Sequence, residues 1–319
     1  MWLGRFFLKG ASGRVRAGLL AAFALILPAA AGARSADPLD GPMQFVLAHG
    51  DAGFCRADGD CPEWIAAEGQ IVPDTPAKFK RLLAKIGGRK LPVVLRSPGG
   101  DVAAALELGK LIRAKGLSVA VGGTRSPACR VDEPLCAAGR GPDGSVLGAT
   151  YSSEGVCFSA CPFAFAGGVR RVASPLSYLG VHQITTTYDE VRVKYRTEYE
   201  VVNGRRRVIA NREIGRKVVG QHSTTALSRP MRRKLLAYFK TMGVDAAIID
   251  MAMSASPQSI HLIRQMDARG IGLTTEFASA DQLVMAGPCA AGQTLASCLA
   301  AHEPPSKPAS SAPAGAPGT

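Results

Sequence analysis

Three short stretches hold residue types that together can carry out acyl transfer. In "EGVCFSACPFAFAGG", Glu154 to Gly168, Ser159 lies between Cys157 and Cys161, ahead of a small apolar run closed by Gly167-Gly168. A serine at the start of a helix, followed by small Ala160, can expose its hydroxyl as a nucleophile. The next N–H, that of Ala160, then faces the same developing oxyanion. In "RSPGGD", Ser97-Pro98-Gly99-Gly100 follows an apolar strand and opens a helix, so its N–H groups have no side chain in the way. His182, in "LGVHQ", ends an apolar strand, where a general base is held rigidly. Each has a plainer reading alone: a helix-capping serine, an ordinary Pro-Gly-Gly turn, a partly buried core histidine. Cys157 or Cys161 as nucleophile is the sharp alternative, and it needs a reduced thiol in an electropositive place.

The N-terminus argues against a free thiol. "MWLGRFFLKGASGRVR" carries Arg5, Lys9, Arg14 and Arg16 and no acid, and the wholly apolar "AGLLAAFALILPAAAGA" follows. Residues 1–33 read as a secretory signal ending in a small-x-small cleavage site. The apolar run is just short of a comfortable membrane span, so an uncleaved anchor is the alternative. Either way the folded part is exported or periplasmic, where disulfides persist, and the chain has eight cysteines. Chain order suggests local staples, Cys55 with Cys61 and Cys289 with Cys298. Cys129, Cys136, Cys157 and Cys161 remain, and spacing alone does not fix their pairing. With Cys157 and Cys161 one turn apart on a single helix, direct bonding between them is geometrically poor. At least one is therefore expected to pair with Cys129 or Cys136, pinning the intervening loop over Ser159. The C-x5-C, C-x6-C and C-x3-C spacings are not zinc knuckles, so neither a metal nor a cofactor is expected. The net charge of +13 shrinks once the basic leader is set aside. Its one dense cluster, Asn203 to Lys217, could meet nucleic acid or anionic lipid, though charge runs are usually solvated faces; without a reader motif or an aromatic stacking series, nucleic acid is not expected as a partner.

The elements that must position these residues follow from periodicity. "MQFVLAHG" is a short strand, and "TPAKFKRLLAKIGG" is a helix with Phe79, Leu82, Leu83 and Ile86 on one face. "KLPVVLRS", the helix from Val102 to Gly116 and "LSVAVGG" form a βαβ unit of a parallel sheet. Residues 124–154 are rich in Gly, Pro and Ser and read as an inserted loop. "DEVRVKYRTEYEVVNGRRRVIANREI" alternates polar and apolar residues about Asn203-Gly204, a two-residue hairpin signal. A helical stretch from Ser228 broken near Gly243 follows. The tail 301–319 is Pro/Ala/Ser-rich and is expected to be disordered.

Together, in this order, Ser97 to Gly100, Ser159, Gly167-Gly168 and His182 resemble the Clp-protease proteolytic subunit family of the crotonase-like superfamily. "FAGGVRR", "GVHQ" and "YFKTMGVD" are similar, more closely, to a group of periplasmic Clp-like bacterial proteins. The resemblance covers roughly residues 90–274. It implies an α/β fold of repeated ββα units with a mostly parallel sheet over residues 37–285. The loop at 124–154 and the β-hairpin at 186–220 are insertions, and a Cys-stapled end occupies 286–300. It implies Ser159 as nucleophile, His182 as base, and an oxyanion hole from Gly99, Gly100 and Ala160. The substrate would be a peptide or protein. The family's aspartate would fall near Ser254, where no acid stands, and Asp250 is the nearest candidate; a bare Ser-His pair or a hydroxyl orienter is the alternative. The hairpin replaces the segment that helps build the family's double ring, so an ATPase-capped ring is not implied, while other self-association stays open. The expected function is an exported, ATP-independent serine peptidase. The competing one is a catalytically decayed fold acting as a binding or scaffold protein. An acyl-CoA crotonase is disfavoured because coenzyme A is cytosolic. A lysine-base peptidase is disfavoured because Lys194 and Lys217 lie in the hairpin.

Overall fold

The computed structural model describes residues 39–55, 59–129, 135–287, 289 and 292–300; the leader expected at 1–33 and the disordered tail expected at 301–319 lie outside them. Period-two patterning builds the sheet. β1 (Gln44–Gly50) alternates buried and more exposed positions and pairs antiparallel with β2 (Glu63–Glu68). In β2, Trp64 and Ala66 face one side and Ile65 and Ala67 the other, all fully buried. Burial on both faces erases the alternation that reveals a strand, which is why residues 37–68 show only β1 in their sequence pattern. α1 (Thr75–Lys85) carries Pro76 in its first turn and buries Phe79 and Leu83. β3 (Val93–Arg96), α2 (Val102–Ala114) and β4 (Val119–Val121) form the expected βαβ unit, with β3 and β4 parallel. Asp101 caps α2, its carboxylate accepting the Ala104 N–H at 2.7 Å.

The 124–154 insertion corrects an expectation. β5 (Gly123–Arg125) and β6 (Val146–Tyr151) pair antiparallel, and β6 runs parallel to β1. The insertion thus extends the main sheet past β1 instead of forming a lid, and none of its described residues lines the cavity that holds Ser159. β7 (Val156–Phe158), α3 (Cys161–Phe165), β8 (Arg171–Val172) and β9 (Tyr178–Val181) follow. The seven strands run β5-β6-β1-β2-β3-β4-β8, parallel from β2 to β8, so the fold is mixed α/β with a mostly parallel central sheet.

β10 (Thr186–Val202) and β11 (Arg205–Thr224) make the predicted hairpin, with Asn203 and Gly204 at φ 53° and 74°. They pair only with each other, and none of their residues is buried. α4 (Arg229–Met242) is capped by Ser228 and stopped by Gly243 at φ 65°, and α5 (Ala247–Met253) follows. β12 (His261–Ile263) joins β9 and β7 in a second sheet ordered β12-β9-β7. α6 (Gln265–Gly270), α7 (Ala280–Ala286) and α8 (Leu295–Ala300) complete the chain.

Helices cover both faces of the main sheet. Ile65, Val93, Leu95 and Val119 pack with Phe79, Leu108, Phe163 and Phe239 from α1 to α4. On the opposite face Trp64, Val94 and Ala120 pack with Leu283, Val284 and Leu295 of α7 and α8. Each such large side chain contributes about 1.5–3 kcal/mol by leaving water. Cys55–Cys61 and Cys289–Cys298 form as expected. Among the described residues no helix is long and apolar enough to cross a membrane.

Candidate active site

Ser159 occupies the turn between β7 and α3 with φ 60°, a left-handed conformation that a non-glycine residue rarely adopts. Such a residue costs of order 1–3 kcal/mol and persists only inside a frame that over-determines it. The frame is visible on every side. The Ser159 N–H donates to Gly180 O of β9 at 2.9 Å, and the Phe158 N–H to Ser97 O at 3.0 Å. Tyr238 donates its hydroxyl to Phe163 O at 2.5 Å. Arg113 donates to the carbonyls of Ala166, Gly167 and Gly168, and buried Arg171 to Gly168 O, tying down the end of α3. Burial lowers the Arg171 pKa to about 10, with the neighbouring charge of Arg113 adding to the effect.

The cysteine pairing differs from the expectation. Cys157 bonds Cys161, and Cys129 bonds Cys136; no disulfide joins the insertion to the site. The expectation placed Cys157 and Cys161 on one helix. Instead Cys157 is on a strand and Cys161 opens the helix, so the sharp turn at Ser159 folds them to a Cα separation of 5.1 Å, within the normal range for a disulfide. All eight cysteines are in disulfides, so none is available as a nucleophile or a metal ligand.

The glycine loop stands directly against the elbow. Gly99 has φ 101°, and a Cβ there would fall 2.5 Å from both Phe158 O and Ser159 Cβ. Gly100 has φ 133°, and its Cβ would fall 2.1 Å from Ile71 O. The loop is anchored by Ile71 N–H to Gly99 O and Asp101 N–H to Ile71 O, both 2.7 Å. The three expected donors divide. The Gly99 N–H is used internally, donating to Ser97 Oγ at 3.1 Å. The N–H groups of Gly100 and Ala160 donate to no protein group among the described residues. Gly99 therefore supplies close approach, and Gly100 with Ala160 supplies the free donors.

Ser159, Ala160, Gly100 and His182 line one cavity of about 150 Å³, walled by Val102, Phe163, Gln183, Ile184 and Thr185. His182 follows β9 directly. Its neighbour Gln183 fixes it to the end of α5, N–H to Ala255 O at 3.0 Å and Nε2 to Met253 O at 3.0 Å. Ser159 and His182 line this cavity together, and no hydrogen bond joins them among the described residues. Among the described residues no acid pairs with His182. Asp250 is an exposed residue of α5 that faces Arg232 at 3.7 Å, and His182 Nδ1 is buried with no hydrogen-bond partner. Ser254 is no substitute, since its hydroxyl donates to Met251 O at 2.7 Å and meets His261 Nδ1 at 3.2 Å.

One charged group beside the loop escaped the sequence reading. Glu68 of β2 is buried; its Oε1 accepts the Thr124 N–H at 2.8 Å, and its Oε2 lies 3.7 Å from Arg96, the residue before Ser97. Burial pushes its pKa up to about 7, against the opposing pull of the Thr124 N–H and Arg96. The signal was present as an acid inside the apolar run "EWIAAE".

Fold and site define a class: a mixed α/β protein that presents a serine on a strand–turn–helix elbow against a Gly-Gly loop. No protein-family model and no curated protein matches the chain. Among solved structures it is similar to the 1510-N membrane-bound stomatin-specific protease, at 13% identity and TM-score 0.35, over 66% of this chain and 75% of that one. The same protease in complex with a substrate peptide gives 14% and 0.35, over 66% and 71%. ClpP1 from Listeria monocytogenes gives 10% and 0.32, over 67% and 90%. At these values the likenesses assign no residue a role.

Proposed function

We propose that the protein is an exported serine hydrolase, an ATP-independent peptidase working with a Ser159–His182 pair. The observation that carries the reading is the strained elbow: Ser159 at φ 60° faces a cavity shared with His182 and two unused N–H groups. Strain of this kind, held by a disulfide across the turn, is retained where a side chain must be presented. In the reaction Ser159 Oγ attacks the carbonyl carbon while His182 takes the hydroxyl proton. The oxyanion forms against the N–H groups of Gly100 and Ala160. His182 returns the proton to the leaving amine, and a water, activated in the same way, hydrolyses the acyl-enzyme. Val102, Phe163 and Ile184 give the cavity an apolar wall, which suits a small apolar substrate side chain. The sequence resemblance of "SPGG", "CFSAC" and "GVHQ" to Clp-type peptidases favours a peptide bond as the target. The four disulfides are compatible with an exported, periplasmic location.

A second reading, a binding protein on a decayed hydrolase fold, is favoured by the orphaned His182 Nδ1. Without an orienting acid a triad loses about ten-thousand-fold in rate. A fluorophosphonate probe separates the two. The hydrolase predicts labelling of the oxidised protein that disappears in Ser159→Ala and weakens strongly in His182→Ala. Absence of serine-dependent labelling supports the binding protein instead.

A further inference from the structure

The β10–β11 ribbon leaves the wall of the candidate site itself, since Ile184 and Thr185 line the cavity and Thr186 begins β10. Its strands are 17 and 20 residues long, which at ~3.3 Å per residue projects the tip roughly 55 Å outward. Paired residues share a face, and the two faces differ. One carries Val191, Val193, Tyr195, Tyr199, Val208 and Val218, interrupted by the Arg216 and Glu213 ion pair opposite Val193 and Tyr195; the other carries Arg192, Lys194, Arg196, Arg207, Arg212 and Lys217. Three register shifts leave Val219, Ile214 and Ile209 without opposite residues. The ribbon as a whole has nine bases against five acids, a balance of +4.

At the tip this separation ends. Val201, Val202, Val208 and Ile209 are 64%, 46%, 61% and 57% exposed and surround the consecutive Arg205, Arg206 and Arg207. Both faces of the tip therefore mix branched aliphatic side chains with guanidinium groups. A turn that met only water would have no use for four exposed aliphatics. Arg207 pairs with Glu200, so a second copy docked tip to tip would bring four uncompensated arginines together, Arg205 and Arg206 of each, and repel itself. A bilayer with anionic headgroups meets both needs at once, burying the aliphatics at the acyl boundary and pairing the arginines with phosphates.

We propose that the tip of the β10–β11 ribbon is a membrane-docking element that inserts Val201, Val202, Val208 and Ile209 into an anionic lipid surface. Docking sets the candidate site at one ribbon length from the bilayer, within reach of extended chains that leave it. The proposal does not depend on Ser159 being catalytic.

The test is vesicle co-sedimentation of the full chain with phosphatidylglycerol–phosphatidylcholine vesicles and with phosphatidylcholine alone. The full chain is compared with Val201→Asp/Val208→Asp and with Arg205→Gln/Arg206→Gln/Arg207→Gln. Each variant keeps the leader, so the leader's own affinity cancels in the comparison. The arginine variant should bind the anionic vesicles roughly 100-fold more weakly at low salt. The valine variant should bind them more weakly than the parent by a comparable factor, and both should keep the parent circular dichroism. Unchanged binding by both variants overturns the proposal. So does equal binding to neutral vesicles that the arginine variant does not weaken. A dimer that both variants turn into a monomer, with lipid binding unaltered, would make a second copy the true occupant.

Discussion

The elbow at Ser159 and the ribbon that starts at Thr186 both border His182, yet they are built in opposite ways. The elbow spends a strained φ of 60° and fixes it from each side, with a disulfide, the Gly180 carbonyl, the glycine loop and two arginines on the end of α3. The ribbon has no buried residue and is paired only with itself. An isolated two-stranded hairpin is marginal in water, so the ribbon's regular structure rests on its long ladder and on whatever it meets. The lesson is a division of labour. Geometry that must be held within fractions of an ångström is placed where many elements converge, and reach is placed where almost none do.

The largest expected effect tests the rigid half. Ser159→Ala should lower hydrolysis of a reactive ester or peptide to background, a fall of at least about a thousandfold, while folding is retained. Measured turnover that survived in Ser159→Ala would remove the elbow from the chemistry. Next in size is Glu68, which lies against the same loop through Arg96. The folded protein holds its proton up to about pH 7, whereas the ordinary glutamate value is 4.5. Between those values the folded chain binds more protons than the unfolded one, so stability falls as pH rises through that window. The integrated loss is of order 3 kcal/mol. Urea melts at pH 5 and pH 8 should show that loss in the parent and a flatter profile in Glu68→Gln. Equal slopes would mean that Glu68 is ionised in the fold throughout.

What the sequence made legible divides along the same line. Ser159, the Gly99-Gly100 loop and His182 stand out by residue type and by an order that resembles the Clp-type pattern, and Ser159, Gly100 and His182 line one cavity. The hairpin was found because Asn203-Gly204 is a local turn signal that depends on no distant contact. What failed needed three dimensions. The Cys157–Cys161 pairing followed from a turn that local periodicity reads as helix. β2 was hidden by burial on both faces, and β6 by the Gly- and Ser-rich composition around it. Asp250 is the acid nearest in sequence to the expected position, but α5 points it at solvent and Arg232.

The disulfides sharpen the comparison at a smaller scale. Closing a loop of either length, separations of 4 and 7 residues, stabilises by about 2–2.5 kcal/mol on the chain-entropy account. Cys157→Ser/Cys161→Ser and Cys129→Ser/Cys136→Ser should therefore lose similar stability in thermal melts. Only the first should slow fluorophosphonate labelling, because only Cys157–Cys161 crosses the elbow. If the second pair slowed labelling equally, the insertion would after all act on the site.

The smallest effect belongs to the ribbon. Val191 and Val218 are direct partners across the ladder, so replacing residues 192–217 with Asn-Gly leaves a short hairpin closed by a turn that suits its twist. The removed residues are unburied, and the body's stability should stay within about 0.5 kcal/mol of the parent. Labelling of Ser159 should also persist, since the cavity wall ends at Thr185, before the excised stretch. If labelling instead collapsed while the circular dichroism and melting temperature held, the ribbon would be supplying order to His182 along β10. The separation between a fixed site and a free arm would then have to be given up, with the arm standing in for the missing acid as the element that orients the histidine.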